Sequence, residues 1–272
     1  KDFESPEIFV LPNKYPAFVE NPKLCSPRTF KVEGNFFRAK AALGGHDVII
    51  VKKHDLDIFG FSHQTWAEMF TMTQQRYVYF RQECNVDYAM MIYNQGARAG
   101  ASIYHPHAQL FASDIVPNQV LREMHGAETY FERNAACVFC DLVLHEKNFK
   151  DRIIYETDDF LAFTFYAARF PFEIWIFPKA HHSHFETVTK AHIIGLAEAF
   201  MDVVGKLGKT LKNPPFNLYL HDLPTTMGES KFYHWHAELT PRVATYGGYE
   251  LGSGVGIDVV APEIAAKYLL GG

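Results

Sequence analysis

At 272 residues the chain is long enough to bury one large core or two of about 130 residues each. An apolar content of 48%, a charged content of 21%, a net charge of −5 and a pI near 6.3 are those of an ordinary soluble protein and speak against a nucleic-acid-binding surface. No apolar run nears the roughly 20 residues needed to span a bilayer, no signal peptide is read at the start, and four cysteines suit a reducing cytoplasm better than a disulfide framework.

Ile8 to Leu11 reads as a short strand, closed by the turn-like Asn13-Lys14-Tyr15-Pro16. Residues 22–45 read as a hairpin with long connections. His46 to Lys52 is a β-branched buried strand with His54 at its end. Between 63 and 83 the apolar residues Trp66, Phe70, Tyr77 and Phe80 recur at helical spacing, behind Ser62 or His63. Tyr88 to Tyr93 is the next strand. Asn118 to Asn134 is an amphipathic linker helix with Asn118 as its N-cap, and a boundary falls near Ala135. Ala191 to Leu211 is a second long amphipathic helix, with Ile193, Leu196, Phe200, Val204 and Leu207 on its apolar face. Pro214 to Leu220 is a strand, His221 to Glu229 a polar loop, and Pro262 starts a terminal helix.

The chemistry concentrates between Asn94 and Ser113. A run of small residues, Gly96, Ala97, Ala99, Gly100, Ala101 and Ser102, lets backbone approach a ligand closely. His105, His107 and Gln109 follow at alternate positions, which an extended chain places on one face. An imidazole attacks phosphorus or ligates a metal, and an amide donates to a phosphoryl oxygen. The pattern recurs: Tyr104-His-Pro-His-Ala-Gln reappears as Tyr233-His-Trp-His-Ala-Glu, and the strand ending in His54 reappears as Trp175 to His181. His54 and His105 are 51 residues apart and His181 and His234 are 53 apart. The chain therefore reads as two copies of one unit, residues 1–134 and 135–272.

Cys137-x-x-Cys140 opens the second copy as a turn whose thiolates suit tetrahedral zinc, or else as a pair of buried or redox thiols. The repeat supplies the other two ligands, His181 and His234, with His182 and His184 as competitors of His181. At the same spacing the first copy has no cysteine pair to join His54 and His105. Cys25 and Cys84 stand alone and read as small buried residues.

Taken together, Asn13-Lys14-Tyr15-Pro16-Ala17, Asn94 with Gly100-Ala101-Ser102, His105-Pro-His107-x-Gln109, Cys137-x-x-Cys140, His234-x-His236 and Gly248-Tyr249-Glu250 resemble the galactose-1-phosphate uridylyltransferase family, the transferase branch of the histidine-triad superfamily. The resemblance implies an α+β fold of two tandem histidine-triad-like units, each a mostly antiparallel sheet with flanking helices, forming one pseudo-symmetric body. It implies His107 as nucleophile, His105 bracing the loop, and Gln109 and Ser102 donating to phosphoryl oxygens. It also implies a nucleotide site at Asn13, Lys14, Tyr15, Asn94, Gly100 and Ala101, and hexose contacts from Tyr249 and Glu250, with His236 as a degenerate second site that supports sugar-phosphate binding or metal ligation. Zinc is the expected metal, with iron as the alternative in a site of histidine and glutamate. The family's first-unit cysteine pair lies farther upstream and would fall before residue 1.

The activity implied is transfer of a nucleotide between a nucleotide sugar and a hexose 1-phosphate in galactose metabolism, by a cytoplasmic enzyme that is usually a homodimer. An ADP-sugar or dinucleoside polyphosphate phosphorylase using inorganic phosphate is the alternative. A noncatalytic, zinc-stabilised nucleotide sensor is the second.

Overall fold

Short runs of β-branched and aromatic residues organise the molecule around one ten-stranded antiparallel sheet. The computed structural model describes residues 3–20, 29–33, 36–83 and 86–272, so Cys25 and Cys84 lie outside the described residues. The first half of the sheet contains β1 (Phe3–Glu4), β2 (Ile8–Pro12), β5 (Gly44–Val51), β6 (Tyr88–Gln95) and β7 (His107–Ser113). The second half contains β8 (Ile153–Glu156), β9 (Phe160–Thr164), β10 (Ile174–Pro178), β11 (Phe216–His221) and β12 (His236–Pro241). The hairpin expected in 22–45 is present as the pair β3 (Thr29–Glu33) and β4 (Phe37–Lys40), outside the main sheet.

Across the sheet the order is β1-β2-β5-β7-β6-β11-β12-β10-β9-β8. Its centre is mirrored: β5-β7-β6 on one side of the joint answers β10-β12-β11 on the other. Equivalent strands carry the repeated motifs, since β5 and β10 precede His54 and His181, whereas β7 and β12 begin at the second histidine of each His-x-His. The sequence repeat is thus a repeat of three-strand units joined through β6 and β11.

Two long helices cover one face of the sheet. In α1 (His63–Arg81), Ser62 caps the N-terminus by accepting from the Thr65 amide at 3.1 Å. In α4 (Lys190–Leu211), Thr189 does the same for His192 at 3.2 Å. Their apolar faces meet around Trp66, whose ring lies 5.6 Å from Phe70 and 5.1 Å from Phe200, so one aromatic cluster ties the two units together.

The opposite face is covered unevenly. Over the second half, α2 (Asn118–Asn134) and α3 (Val138–Phe149) enclose a separate core of Phe139, Phe163, Trp175, Phe177 and Tyr233. Two details depart from the sequence reading. Pro117, not Asn118, occupies the cap position of α2, without a side-chain bond. Cys137 and Cys140 occupy the cap and first turn of helix α3 rather than a free turn, because one helical turn also places residues three apart on one side. The tail forms α5 (Gly248–Ser253) and α6 (Pro262–Leu269), the latter with Pro262 at its first position. No described helix is long and apolar enough to cross a membrane.

Because Trp66 is fully buried at the α1–α4 seam, Trp66→Ala should lower unfolding free energy by about 3–5 kcal/mol. Urea denaturation followed by circular dichroism checks this; a loss within about 0.5 kcal/mol would mean that the seam carries little of the stability.

Candidate active site and metal centres

Strand alternation sets the outer face of the first half. His46, Val48 and Ile50 of β5 lie on the same side as His107, Gln109 and Phe111 of β7, with Ile50 opposite His107 and Val48 opposite Gln109. Ala108 and Leu110 point the other way into the core. His105 precedes β7, so the three motif side chains are not carried by one continuous strand.

The small-residue loop enters from the end of β6. Gly96 (φ 78°) and Gly100 (φ 89°) take left-handed conformations on either side of a single 3-10 turn, Ala97–Ala99. A Cβ on Gly96 would stand 3.2 Å from the Pro215 side chain, so the loop lies close to the second half. It is tied there by Asn217, whose Nδ2 donates to Asn94 Oδ1 and to the Ala99 carbonyl, both at 2.7 Å. Sequence reasoning missed Asn217; only its pairing with Asn94 across β6 and β11 brings it into view.

Two cavities meet at His107. One, of about 210 Å³, is lined by Asp57, Tyr93, Asn94, Gly96, Ala101 and Ser102 together with His105 and His107. The other, of about 340 Å³, is lined by Asn13, Tyr15, Val48, Ile50, Ser102, His105, His107 and Gln109. The structure thus gathers Asn13, Tyr15, Asn94, Ala101, Ser102, His105, His107 and Gln109 around one cleft. Gly100 instead faces a neighbouring cavity beside Asn217 and Arg242, and the Lys14 ammonium stands 5.4 Å from the Tyr15 ring.

Directional hydrogen bonds assign the imidazole nitrogens. His107 Nδ1–H donates to the His105 carbonyl at 2.7 Å, leaving the Nε2 lone pair free. His105 Nε2–H donates to the Val51 carbonyl at 2.6 Å, leaving its Nδ1 free, and its ring centre lies 4.6 Å from that of His54. No third ligand joins these two histidines among the described residues.

In the second unit, Cys137, Cys140, His181 and His234 bring one donor atom each to within 4.8 Å of one another. Cys140 Sγ is 3.2 Å from His181 Nδ1 and 3.7 Å from His234 Nδ1, while His181 Nε2–H donates to the Ser230 carbonyl at 2.7 Å. Hydrogen bonding from Cys140 holds the Cys137 thiol down at about 5 against burial, with help from His181, and the Cys140 thiol is raised in turn. Burial, with His181 and His236 nearby, pushes His234 down to about 3. Cys137 and His234 are thereby held toward the sulfur anion and neutral imidazole that a metal cation requires, whereas the hydrogen bond with Cys137 raises both Cys140 and His181. His182 faces His192 and His184 turns toward Glu186 and Asp222, so neither replaces His181.

A further group lies beside the first. Glu123 of α2, His221 of β11 and His236 of β12 also place donor atoms within 4.8 Å of one another. His221 Nδ1 is 2.9 Å from Glu123 and 3.3 Å from Glu238, and His236 Nε2 is 3.4 Å from Glu238. Both His236 Nε2 and Glu238 Oε1 are buried without a hydrogen-bond partner, a pattern that fits a cation. Despite burial, the neighbouring charges of His221, Arg169 and His236 hold Glu238 at about 2. Arg169 is the compensating charge, contacting Glu173, Glu238 and the Tyr219 hydroxyl.

Of the two roles expected of His236, this geometry fits metal ligation and not sugar binding. It is fully buried against Trp175 and Phe177, with ring centres at 4.7 and 4.9 Å, and cannot touch a sugar. Tyr249 and Glu250 are not among the residues lining the His107 cleft; Tyr249 is exposed on α5 and Glu250 accepts from the Gly247 amide at 2.9 Å.

Comparison with known proteins bears on the family and the fold. The model for the N-terminal domain of galactose-1-phosphate uridyl transferase matches residues 1–117, and that for the C-terminal domain matches residues 123–253. An ADP-glucose phosphorylase of Arabidopsis thaliana is 32% identical over 266 residues, covering 97% of this chain and 74% of that protein. A galactose-1-phosphate uridylyltransferase of Thermotoga maritima is 26% identical over 274 residues, covering 98% and 85%. A crystal structure of an Arabidopsis ADP-glucose phosphorylase with bound ADP-glucose superposes with a TM-score of 0.87 at 30% identity, covering 98% of this chain and 81% of that one.

Removing the guanidinium that faces two buried carboxylates should be costly, so Arg169→Met is expected to destabilise the protein by about 3 kcal/mol or more. Chemical denaturation measures it, and an unchanged midpoint would mean that Glu173 and Glu238 do not depend on Arg169.

Proposed function

Since the chain belongs to the galactose-1-phosphate uridyl transferase family, we propose that it works as a nucleotidyltransferase through a covalent nucleotidyl-His107, moving a nucleoside monophosphate between a nucleotide sugar and a hexose 1-phosphate. The observation that carries the reading is the bond from His107 Nδ1–H to the His105 carbonyl, which leaves Nε2 as the nucleophilic nitrogen at the meeting point of two cavities.

In the first half-reaction Nε2 attacks the nucleotide's α-phosphorus. A P–N bond forms, the P–O bond to the sugar phosphate breaks, and the sugar phosphate leaves as an anion without needing a proton. The imidazole becomes cationic as it is phosphorylated, and the His105 carbonyl on Nδ1–H stabilises that charge. Ser102 and Gln109 donate to the non-bridging oxygens. In the second half-reaction an acceptor phosphate oxygen attacks the same phosphorus, the P–N bond breaks and His107 is restored. Asn13, Lys14 and Tyr15 hold the nucleoside, with the exposed Tyr15 ring available for stacking at the mouth of the larger cavity. An amide at position 109, rather than a third imidazole, disfavours water as acceptor.

A second reading takes inorganic phosphate as acceptor, which makes the enzyme an ADP-sugar phosphorylase. It is supported by the 32% identity to the Arabidopsis ADP-glucose phosphorylase.

For the metal centres, Cys137, Cys140, His181 and His234 suit zinc, which would close the second unit as a structural cross-link. The oxygen and nitrogen donors of Glu123, His221 and His236 are the set that suits iron.

Incubation with UDP-glucose or ADP-glucose should add one nucleotidyl group to the intact protein by mass spectrometry, and His107→Gly should abolish it. Discharge by galactose 1-phosphate or by inorganic phosphate separates the two readings, and absence of any adduct overturns both. Gln109→His should divert part of the transfer into hydrolysis; unchanged partitioning would remove the role given to the amide. Cys140→Ser should lower the zinc measured by elemental analysis together with Tm, and full retention of zinc would contradict the tetrad.

A further inference from the structure

Resting on that reading of His107, we propose that His46 is a positioning residue of the transfer site, which turns the Gln109 amide so that its NH₂ end faces the reacting phosphoryl group. The Ala17 backbone N–H lies 3.1 Å from His46 Nδ1, so Nδ1 must accept and the ring proton of a neutral imidazole resides on Nε2. That proton points at Gln109 Oε1, 2.9 Å away. With its oxygen occupied, the Gln109 amide has only its NH₂ end to offer the cavity.

Asn13 does not compete for this bond. Its Oδ1 accepts from the Tyr15 amide at 2.9 Å, which turns its NH₂ group toward His46 Nε2 at 3.2 Å, where two donors face each other and no bond forms. The ring is held flat by Phe111, stacked at 4.0 Å and 26°, directly across from it in the β5–β7 ladder. His46 is 7% exposed and does not line the cleft, so it acts only through Gln109. A reversed amide would present a carbonyl oxygen to an anionic phosphoryl group, which repels it.

The test is a double-mutant cycle read by the single-turnover rate of nucleotidyl-enzyme formation at saturating UDP-glucose or ADP-glucose. His46→Phe keeps the stack on Phe111 and removes the donor. It should slow adduct formation by about 10- to 100-fold, chiefly in the maximal rate rather than in the half-saturating concentration. In a Gln109→Ala background the same change should have no further effect, and His46→Gln, which retains an N–H donor, should recover part of the rate. Equal slowing in both backgrounds, or no slowing in either, overturns the proposal. If His46→Phe does not fold, His46→Asn takes its place in the cycle, being polar but too short to reach Gln109. Failure of the underlying reading is a separate result, since the wild-type protein would then form no adduct.

Discussion

The site depends on one short hydrogen bond within a His-x-His segment, from the first histidine's carbonyl to the second histidine's Nδ1–H. In the first unit it spans 2.7 Å and in the second 3.1 Å. A carbonyl can only accept, so it fixes both tautomer and ring orientation and sends Nε2 outward from the sheet. The backbone thereby leaves one defined nitrogen of His107 free for the proposed transfer, with the loop, cavity and amide arranged about it. Any residue two positions earlier supplies such a carbonyl. The first histidine adds something different, a side chain that ties back to the preceding strand, as His105 does to Val51.

The same device has opposite consequences in the two halves because of what covers the sheet. His107 stands at the junction of two cavities. His236, in the equivalent position, is sealed beneath Phe139, Trp175 and Phe177. Position 109 is a neutral amide, able to donate to a phosphoryl oxygen, whereas position 238 is a carboxylate, which would repel one. A buried carboxylate needs compensation, and Arg169, His221 and His236 surround it. Aromatic cover and a single amide-to-acid difference thus separate an open histidine face from a closed cluster of charges.

What the sequence revealed follows from what was local. Strongly periodic segments declared themselves, as in α1 through Trp66, Phe70, Tyr77 and Phe80, and α4 through Ile193 to Leu207. The grouping of Cys137, Cys140, His181 and His234 was legible because the repeat aligned His181 with His54 and His234 with His105. Strands β8 and β9 went unseen, since Ile153–Glu156 and Phe160–Thr164 are short and separated only by a polar turn, and β9 is buried on both faces with no alternation to betray it. Helix α3 was hidden by its own cysteines, which drew attention to a turn. His46, Glu123 and His221 share a different obstacle. Each matters through a partner on another element, Gln109 for the first and the His236–Glu238 pair for the others, and no spacing along the chain encodes those meetings.

The second unit, though its histidine is closed off, still serves the open cleft through the β6–β11 joint. Asn217 sits in register with Asn94, bonds its side chain, and reaches the Ala99 carbonyl of the close-approach loop. Its own Oδ1 accepts from Arg242, whose guanidinium lies over the Phe170 ring at 4.1 Å. Both amide ends of Asn217 are therefore committed, and the close-approach loop is held against the second unit as well as against its own. A left-handed glycine at each end of the 3-10 turn lets the chain make this approach without side-chain obstruction. The loop that frames His107 is thus a product of both copies, and the strand of the closed copy supports the open cleft of the other.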